Sequence, residues 1–180
     1  MDTVTAFLAR RQGILEGVVV SGGEPTLHPA LSDFFHMLRE MGYKTKLDTN
    51  GSAPQALRRL MDNDLVDYVA IDLKAPLLRY PEICAHDASG LEETLALLAA
   101  SSISWELRTT VIPQLTLEDL RSMASLAAQA PAWFLQCYNV PPVYKPEDRF
   151  RIEAEPYTAR QLEDLVQTLR PLAPHVQARA

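Results

Sequence analysis

The sequence predicts an α/β protein with a parallel sheet, arranged as a barrel or partial barrel. Three observations carry this. Apolar runs alternate with segments of helical periodicity, in the order α-β-α-β-α-β-α-β-α-β-loop-α. The run Gly17-Val18-Val19-Val20-Ser21 is continuously apolar and β-branched up to its last residue, as expected of a strand covered on both faces. Several runs then end in polar or charged residues, which collects those groups at the sheet edge where parallel folds bind ligands. A doubly wound open sheet is the alternative. It would want a G-x-G-x-x-G loop after an early strand, and the chain has none.

The elements follow in order. Val4, Phe7, Leu8 and Arg11 predict a helix over Thr3 to Gln12, stopped at Gly13, with no strand before it. Gly17 to Ser21 is the first strand. Pro29 to Met41 is a helix with Leu31, Phe34, Phe35 and Leu38 on one face, ending at Gly42. Tyr43 to Gly51 holds the second strand and its exit, and Gln55 to Asn63 the next helix, with Pro54 in its first turn. Val66 to Pro76 is the third strand and exit. Leu77 to Ser89 reads as loop, Gly90 to Ser101 as a Leu/Ala-rich helix, and Ser104 to Pro113 as the fourth strand. A helix from Thr116 or Leu117 to Ala128 leads to the fifth strand, Trp133 to Val140. Prolines at 141, 142, 146 and 156 mark an irregular stretch. Thr158 and Gln161 form a capping-box pattern opening a last helix to Arg170, and Pro171 to Ala180 reads as loosely held. The chain is read as one domain over 1–180, with its barrel core in 3–140 and a C-terminal loop and helix in 141–180.

Composition narrows the function. With 47% hydrophobic and 22% charged residues, 180 residues suffice for a sizeable core. No apolar run approaches a membrane span, and Met1 to Arg11 resembles an amphipathic helix, not a signal peptide. The expected location is cytoplasmic. A net charge of −6 argues against nucleic acid as a partner. Two cysteines, Cys84 and Cys137, make neither a disulfide framework nor a metal-binding spacing. Cys137 reads as a small core residue and Cys84 as an incidental loop thiol. His28 and His36 read as surface or capping residues.

Four strand exits carry the chemistry. They are Gly22-Gly23-Glu24-Pro25, then Asp48-Thr49-Asn50-Gly51, then Asp72 with Lys74, then Arg108 with Thr109. Two glycines let a ligand approach the main chain, and Pro25 stiffens the exit. Glu24 would repel a phosphate but suits an amine. Each exit also has a plain structural reading. Glu24 could merely begin the next helix, Asn50-Gly51 could be an ordinary turn, Asp72 and Lys74 a local ion pair, and Arg108 a bridge to Glu24 or Asp48. Acids, an amide and bases gathered on one edge are costly unless paired or liganded, so their joint occurrence points to a ligand site.

The segments Val19 to Thr26, Lys46 to Gly51, Asp67 to Pro76 and Arg108 to Pro113 together resemble the radical S-adenosylmethionine enzymes. The likeness is strongest to the activating proteins of anaerobic ribonucleoside-triphosphate reductase, within the glycyl-radical-enzyme activases. The resemblance implies a partial (β/α)6 TIM-like barrel. It implies that Gly22, Gly23, Glu24 and Pro25 hold the methionine amine of S-adenosylmethionine. Asp48, Thr49 and Asn50 would lie near its carboxylate and ribose, with Asp72 and Lys74 beside the same cofactor and Arg108 on a carboxylate or ribose. Gln136 and Asn139 are weaker candidates. It further implies an oxidoreductase. Such an enzyme cleaves S-adenosylmethionine reductively to a 5′-deoxyadenosyl radical and makes a glycyl radical on a partner reductase. Flavodoxin is the expected kind of electron donor.

The family's [4Fe–4S] cluster takes three thiolates spaced Cys-x3-Cys-x2-Cys, because iron–sulfur clusters want soft sulfur ligands. This chain has no such spacing. The expectation is a chain truncated before Thr3, lacking the first strand and the cluster loop, with no catalytic or metal-binding residue of its own. Three other readings stay open: a radical S-adenosylmethionine enzyme acting on a small molecule, such as a carboxydeazaguanine-type synthase; a remnant that binds only cofactor or partner; and a Schiff-base lyase using Lys74. Asp72-Leu73-Lys74-Ala75-Pro76 speaks against the first, and the lack of a phosphate-binding glycine loop against the last.

Overall fold

The computed structural model describes residues 2–179. In chain order the elements are α1 (Asp2–Ala9), β1 (Gly17–Val20), α2 (Leu31–Glu40), β2 (Lys44–Thr49), α3 (Pro54–Asp62), β3 (Tyr68–Asp72) and α4 (Tyr80–Cys84). There follow α5 (Leu91–Ala99), β4 (Ser104–Val111), α6 (Leu117–Ala127), β5 (Trp133–Cys137), α7 (Arg149–Ile152), α8 (Ala159–Leu169) and β6 (Val176–Arg179). They divide into two compact units. One runs to Ile71 and resumes over Ser89–Trp105; the other comprises Asp72–Ala88 and everything from Glu106.

In the first unit β1 pairs with β2 and β2 with β3, all parallel. Val18 and Val20 turn to a cluster of Leu8, Leu38 and Tyr43, and the Tyr43 hydroxyl donates to the Leu8 carbonyl at 2.7 Å. Val19, on the other side of the pleat, stays exposed. Gly51 (φ +76) and Gly90 (φ +82) stand in the left-handed region. At Gly90 a Cβ would come within 2.5 Å of the Ser52 carbonyl oxygen, so only glycine fits that approach. Asp67 receives the Thr45 N–H at 2.7 Å and pairs with Arg39 at 3.1 Å. Burial pushes its carboxyl up, but that N–H, Arg39 and Lys44 together hold it below the usual aspartate range.

In the second unit β4 pairs with β5 and β5 with β6, again parallel. Trp133 is wholly buried beneath α-helical cover that includes Leu162, Val166 and Leu169 in the same core. Thr116 with Asp119 and Thr158 with Gln161 form reciprocal capping boxes that start α6 and α8. Arg79 donates to Asp119 at 2.5 Å and to Glu82 at 2.8 Å, tying the segment after β3 to the start of α6. Glu106, 3% exposed, is held by both terminal nitrogens of Arg179 at 3.0 Å, and that guanidinium stacks on Phe134 at 3.6 Å.

Two segments differ from the sequence expectation. The tail is not loosely held: Val176–Arg179 is a sixth strand, registered on Trp133 to Gln136. Only Val176 in it is buried, so its hydrophobic signal is weak. The Leu77 to Ser89 stretch, read as loop, contains a 3-10 turn (Leu77–Arg79) and α4. Buried Tyr80 fixes both.

Candidate functional site

The first unit builds a rigid corner at the exits of β1 and β2. Glu24, in extended backbone, caps the 3-10 turn Pro25–Leu27. Its Oε1 accepts the Thr26 N–H at 3.0 Å, the Thr26 hydroxyl at 2.5 Å and the Thr49 hydroxyl at 2.6 Å. Its Oε2 accepts the Asn50 N–H at 2.7 Å, which leaves that oxygen room for another donor. Thr49 Oγ1 also accepts the Gly51 N–H, and Asn50 Oδ1 accepts the Ser52 N–H in a local turn. One carboxylate thus fastens two strand exits that lie 25 residues apart in sequence. Gly22 (φ +151) and Gly23 sit beside it, and a Cβ built on either would meet no atom within 4 Å. Such open space over bare backbone is what close approach of a ligand requires. A groove of about 390 Å³ adjoins the corner, with Val4, Val20, Pro25 and Phe34 in its walls.

Asp48 stands apart from this network. It precedes Thr49 and so points to the opposite face of β2, where its carboxylate lies 3.5 Å from Lys46 Nζ.

The second unit places Asp72, Lys74 and Arg108 around a cavity of about 310 Å³, with Cys84, His86 and Thr110. Arg108 donates from Nε at 3.2 Å and Nη2 at 3.0 Å to a single oxygen of Asp72. Asp72 is therefore the partner of Arg108, not of Lys74. The Lys74 ammonium makes no hydrogen bond or ion pair among the described residues. Its backbone is fixed instead: the Lys74 N–H donates to the Tyr80 hydroxyl at 3.0 Å, and the Thr109 hydroxyl donates to the Leu73 carbonyl at 2.6 Å. Trp133 Nε1 donates to Thr109 Oγ1 at 2.9 Å. Burial pushes the Cys84 thiol up, against the opposing pull of Lys74, so it stays protonated and is not an activated nucleophile.

Sequence reasoning missed Thr26, Tyr80, Thr109 and Trp133 as supports, and took Cys84 for an incidental loop thiol although it lines the cavity. Burial, helped by the nearby Cys84 and Asp72 and opposed by the hydrogen bond from the Lys74 N–H, carries the Tyr80 phenol from its ordinary 10 up to about 12. The native state therefore keeps this proton longer than the unfolded chain does. Its contribution is complete below pH 10 and falls away as the pH rises towards 12, by about 3 kcal/mol. Denaturant unfolding followed across that window should show this loss, and Tyr80→Phe should flatten it.

A family model described as the radical SAM superfamily matches residues 2–127. The chain belongs to the radical SAM superfamily. Over 140 residues it is 31% identical to MJ1227 of Methanocaldococcus jannaschii, which carries the provisional name of a glycyl-radical enzyme activating enzyme; the match covers 73% of this chain and 58% of that one. It is also 26% identical over 130 residues to the 7-carboxy-7-deazaguanine synthase of Thermococcus kodakarensis, covering 69% of this chain and 49% of the synthase. The chain thus spans about half the length of these relatives. Among solved structures, a domain of the pyruvate-formate lyase-activating enzyme from Bacteroides vulgatus superposes with a TM-score of 0.69 at 18% identity, covering 91% of this chain and 99% of that one. That likeness shows the fold: the α/β architecture with parallel strands of a partial radical SAM barrel.

The superfamily implies an iron–sulfur cluster and S-adenosylmethionine. The thiols of this chain, Cys84 and Cys137, do not fit the cluster, and among the described residues no group of three or more His, Cys, Asp or Glu could hold a metal. The Gly22-Gly23-Glu24 corner does fit the second group: it offers open backbone and a fixed carboxylate to a cationic amine.

Proposed function

We propose that this chain is the S-adenosylmethionine-holding part of a glycyl-radical-enzyme activase, of the kind that serves anaerobic ribonucleoside-triphosphate reductase. The observation that carries the reading is Glu24, held by four donors beside two glycines with open space above them. A prearranged carboxylate loses little freedom on taking an ammonium group, and Oε2 can accept it. In the second unit, Lys74 offers an ammonium suited to a carboxylate, while Asp72 aligns Arg108 for a further polar contact. In this superfamily bound S-adenosylmethionine supplies reductive sulfonium cleavage. That chemistry needs the cluster, so the residues present are assigned binding alone. The likeness to MJ1227 favours a glycyl-radical enzyme as partner.

The match to a deazaguanine synthase supports a second reading, in which the same cofactor serves a small-molecule reaction. Isothermal titration separates the two. The activase reading expects one-to-one binding of S-adenosylmethionine, and binding of anaerobic ribonucleoside-triphosphate reductase but not of 7-carboxy-7-deazaguanine. Binding of that base in the presence of S-adenosylmethionine, with no affinity for the reductase, would transfer the assignment to the synthase type.

A further inference from the structure

We propose that Tyr80 is the positioning residue of the second unit's cavity. By holding the backbone of Lys74 it sets where that ammonium reaches, and so sets the cavity's preference for ligands that carry a carboxylate. The inference rests on the cofactor reading above in one of its two experimental arms.

Lys74 is exposed, and its ammonium makes no hydrogen bond or ion pair among the described residues. Nothing at the tip fixes this side chain, so its reach is decided at its base. There the backbone is fastened peptide by peptide. The Leu73 N–H donates to the Arg108 carbonyl at 2.9 Å, and the Leu73 carbonyl accepts the Thr109 hydroxyl at 2.6 Å. Those two bonds stop at Leu73. Beyond it the Lys74 N–H donates to the Tyr80 hydroxyl at 3.0 Å, and the same hydroxyl donates back to the Asp72 carbonyl at 3.4 Å. One phenol thus spans the exit from Asp72 to Lys74. Tyr80 is itself 1% exposed and held by packing. It opens α4, whose last residue, Cys84, lines the cavity. Its ring meets the His86 ring edge-on, with centroids 6.0 Å apart. Tyr80 therefore joins the strand exit that carries Lys74 to the wall formed by α4 and His86. A carboxylate entering this cavity meets an ammonium whose base is already placed, which lowers the cost of ordering it.

The first arm compares two ligands that differ only in the carboxylate: S-adenosylmethionine and decarboxylated S-adenosylmethionine. Each is titrated calorimetrically into the full chain as wild type, Lys74→Met, Tyr80→Phe and Leu169→Ala. The wild type should prefer S-adenosylmethionine by about tenfold, and Lys74→Met should abolish that preference. Tyr80→Phe should reduce it to about twofold while binding the decarboxylated ligand nearly as the wild type does. Leu169→Ala, a truncation of a buried residue in α8, should keep the full preference at lower stability. The second arm needs no ligand. With lysine labelled by nitrogen-15, the Lys74 amide proton should exchange slowly with solvent in the wild type. In Tyr80→Phe it should exchange about tenfold faster, while that of Lys44, bonded to the Glu16 carbonyl, keeps its rate.

A purely structural Tyr80 would weaken both ligands by one factor, so an intact preference in Tyr80→Phe would overturn the inference. So would a preference that also falls in Leu169→Ala, a wild type that binds both ligands equally, or an unprotected Lys74 amide in the wild type, which is decisive even if Tyr80→Phe does not fold. Should the wild type bind neither ligand while the exchange pattern appears, Tyr80 still positions Lys74 and the cofactor reading falls. Should the wild type show the preference while Tyr80→Phe changes neither arm, the cofactor reading stands and the positioning role falls.

Discussion

Glu24→Ala should lower the stability of the chain by about 2–4 kcal/mol and weaken S-adenosylmethionine binding by about a hundredfold. Four donors lose their acceptor in this variant: the N–H groups of Thr26 and Asn50 and the hydroxyls of Thr26 and Thr49. Thr26 and Thr49 are buried, so water cannot fully replace the carboxylate around them. The corner would lose both the group offered to an amine and the clamp that aligns the two exits. Glu24→Gln should fall between wild type and alanine. Either orientation of the amide turns its NH2 towards a donor, either the three around Oε1 or the Asn50 N–H at Oε2. Urea unfolding and calorimetry check the two effects. Unchanged binding in Glu24→Ala would leave Glu24 a structural cap and nothing more.

Thr109→Val should cost about 2–4 kcal/mol, although its shape is nearly that of threonine. The Thr109 side chain is wholly buried and serves two partners, accepting from Trp133 Nε1 and donating to the Leu73 carbonyl. Valine leaves an indole N–H and a carbonyl without partners in the core of the second unit. Leu73 sits between Asp72 and Lys74, so the same change should loosen the backbone that presents both. Thr109→Ser keeps the hydroxyl and should recover most of the loss, giving up one buried methyl. Equal stability of the valine and serine variants, measured by urea unfolding, would show that the hydrogen bonds carry no weight.

The frame of this protein was legible because the local signals agree. Gly17 to Val20 is a strand as read, with glycine, proline and charge punctuating its end, but it is not covered on both faces as its apolar run suggested: Val18 and Val20 pack inward and Val19 is exposed. Thr158 and Gln161 announced α8 correctly. What stayed hidden depends on contacts between distant segments. Glu24 reads in sequence as an acid for a ligand amine, but its partners Thr49 and Asn50 lie in the next βα unit, and no spacing rule encodes their meeting. The sequence offered Arg108 two acidic partners, Glu24 and Asp48, and the structure pairs it with neither but with Asp72. Tyr80 looked like one residue of a loop; its hydroxyl is what holds the Lys74 N–H. β6 went unread because a four-residue strand with one buried side chain has almost no periodicity to detect. Nothing local in the sequence says that Tyr68 and Asp48 flank Lys46.

Glycine amides offer the sharpest view of the β1 exit, since the seven in this chain are spread over very different places. With glycine labelled by nitrogen-15, adding S-adenosylmethionine should shift the amide resonances of Gly22 and Gly23 and leave those of Gly13 and Gly42 where they were. Resonances that all stay fixed, or that move only at Gly13 and Gly42, would contradict a cofactor held at the Glu24 corner.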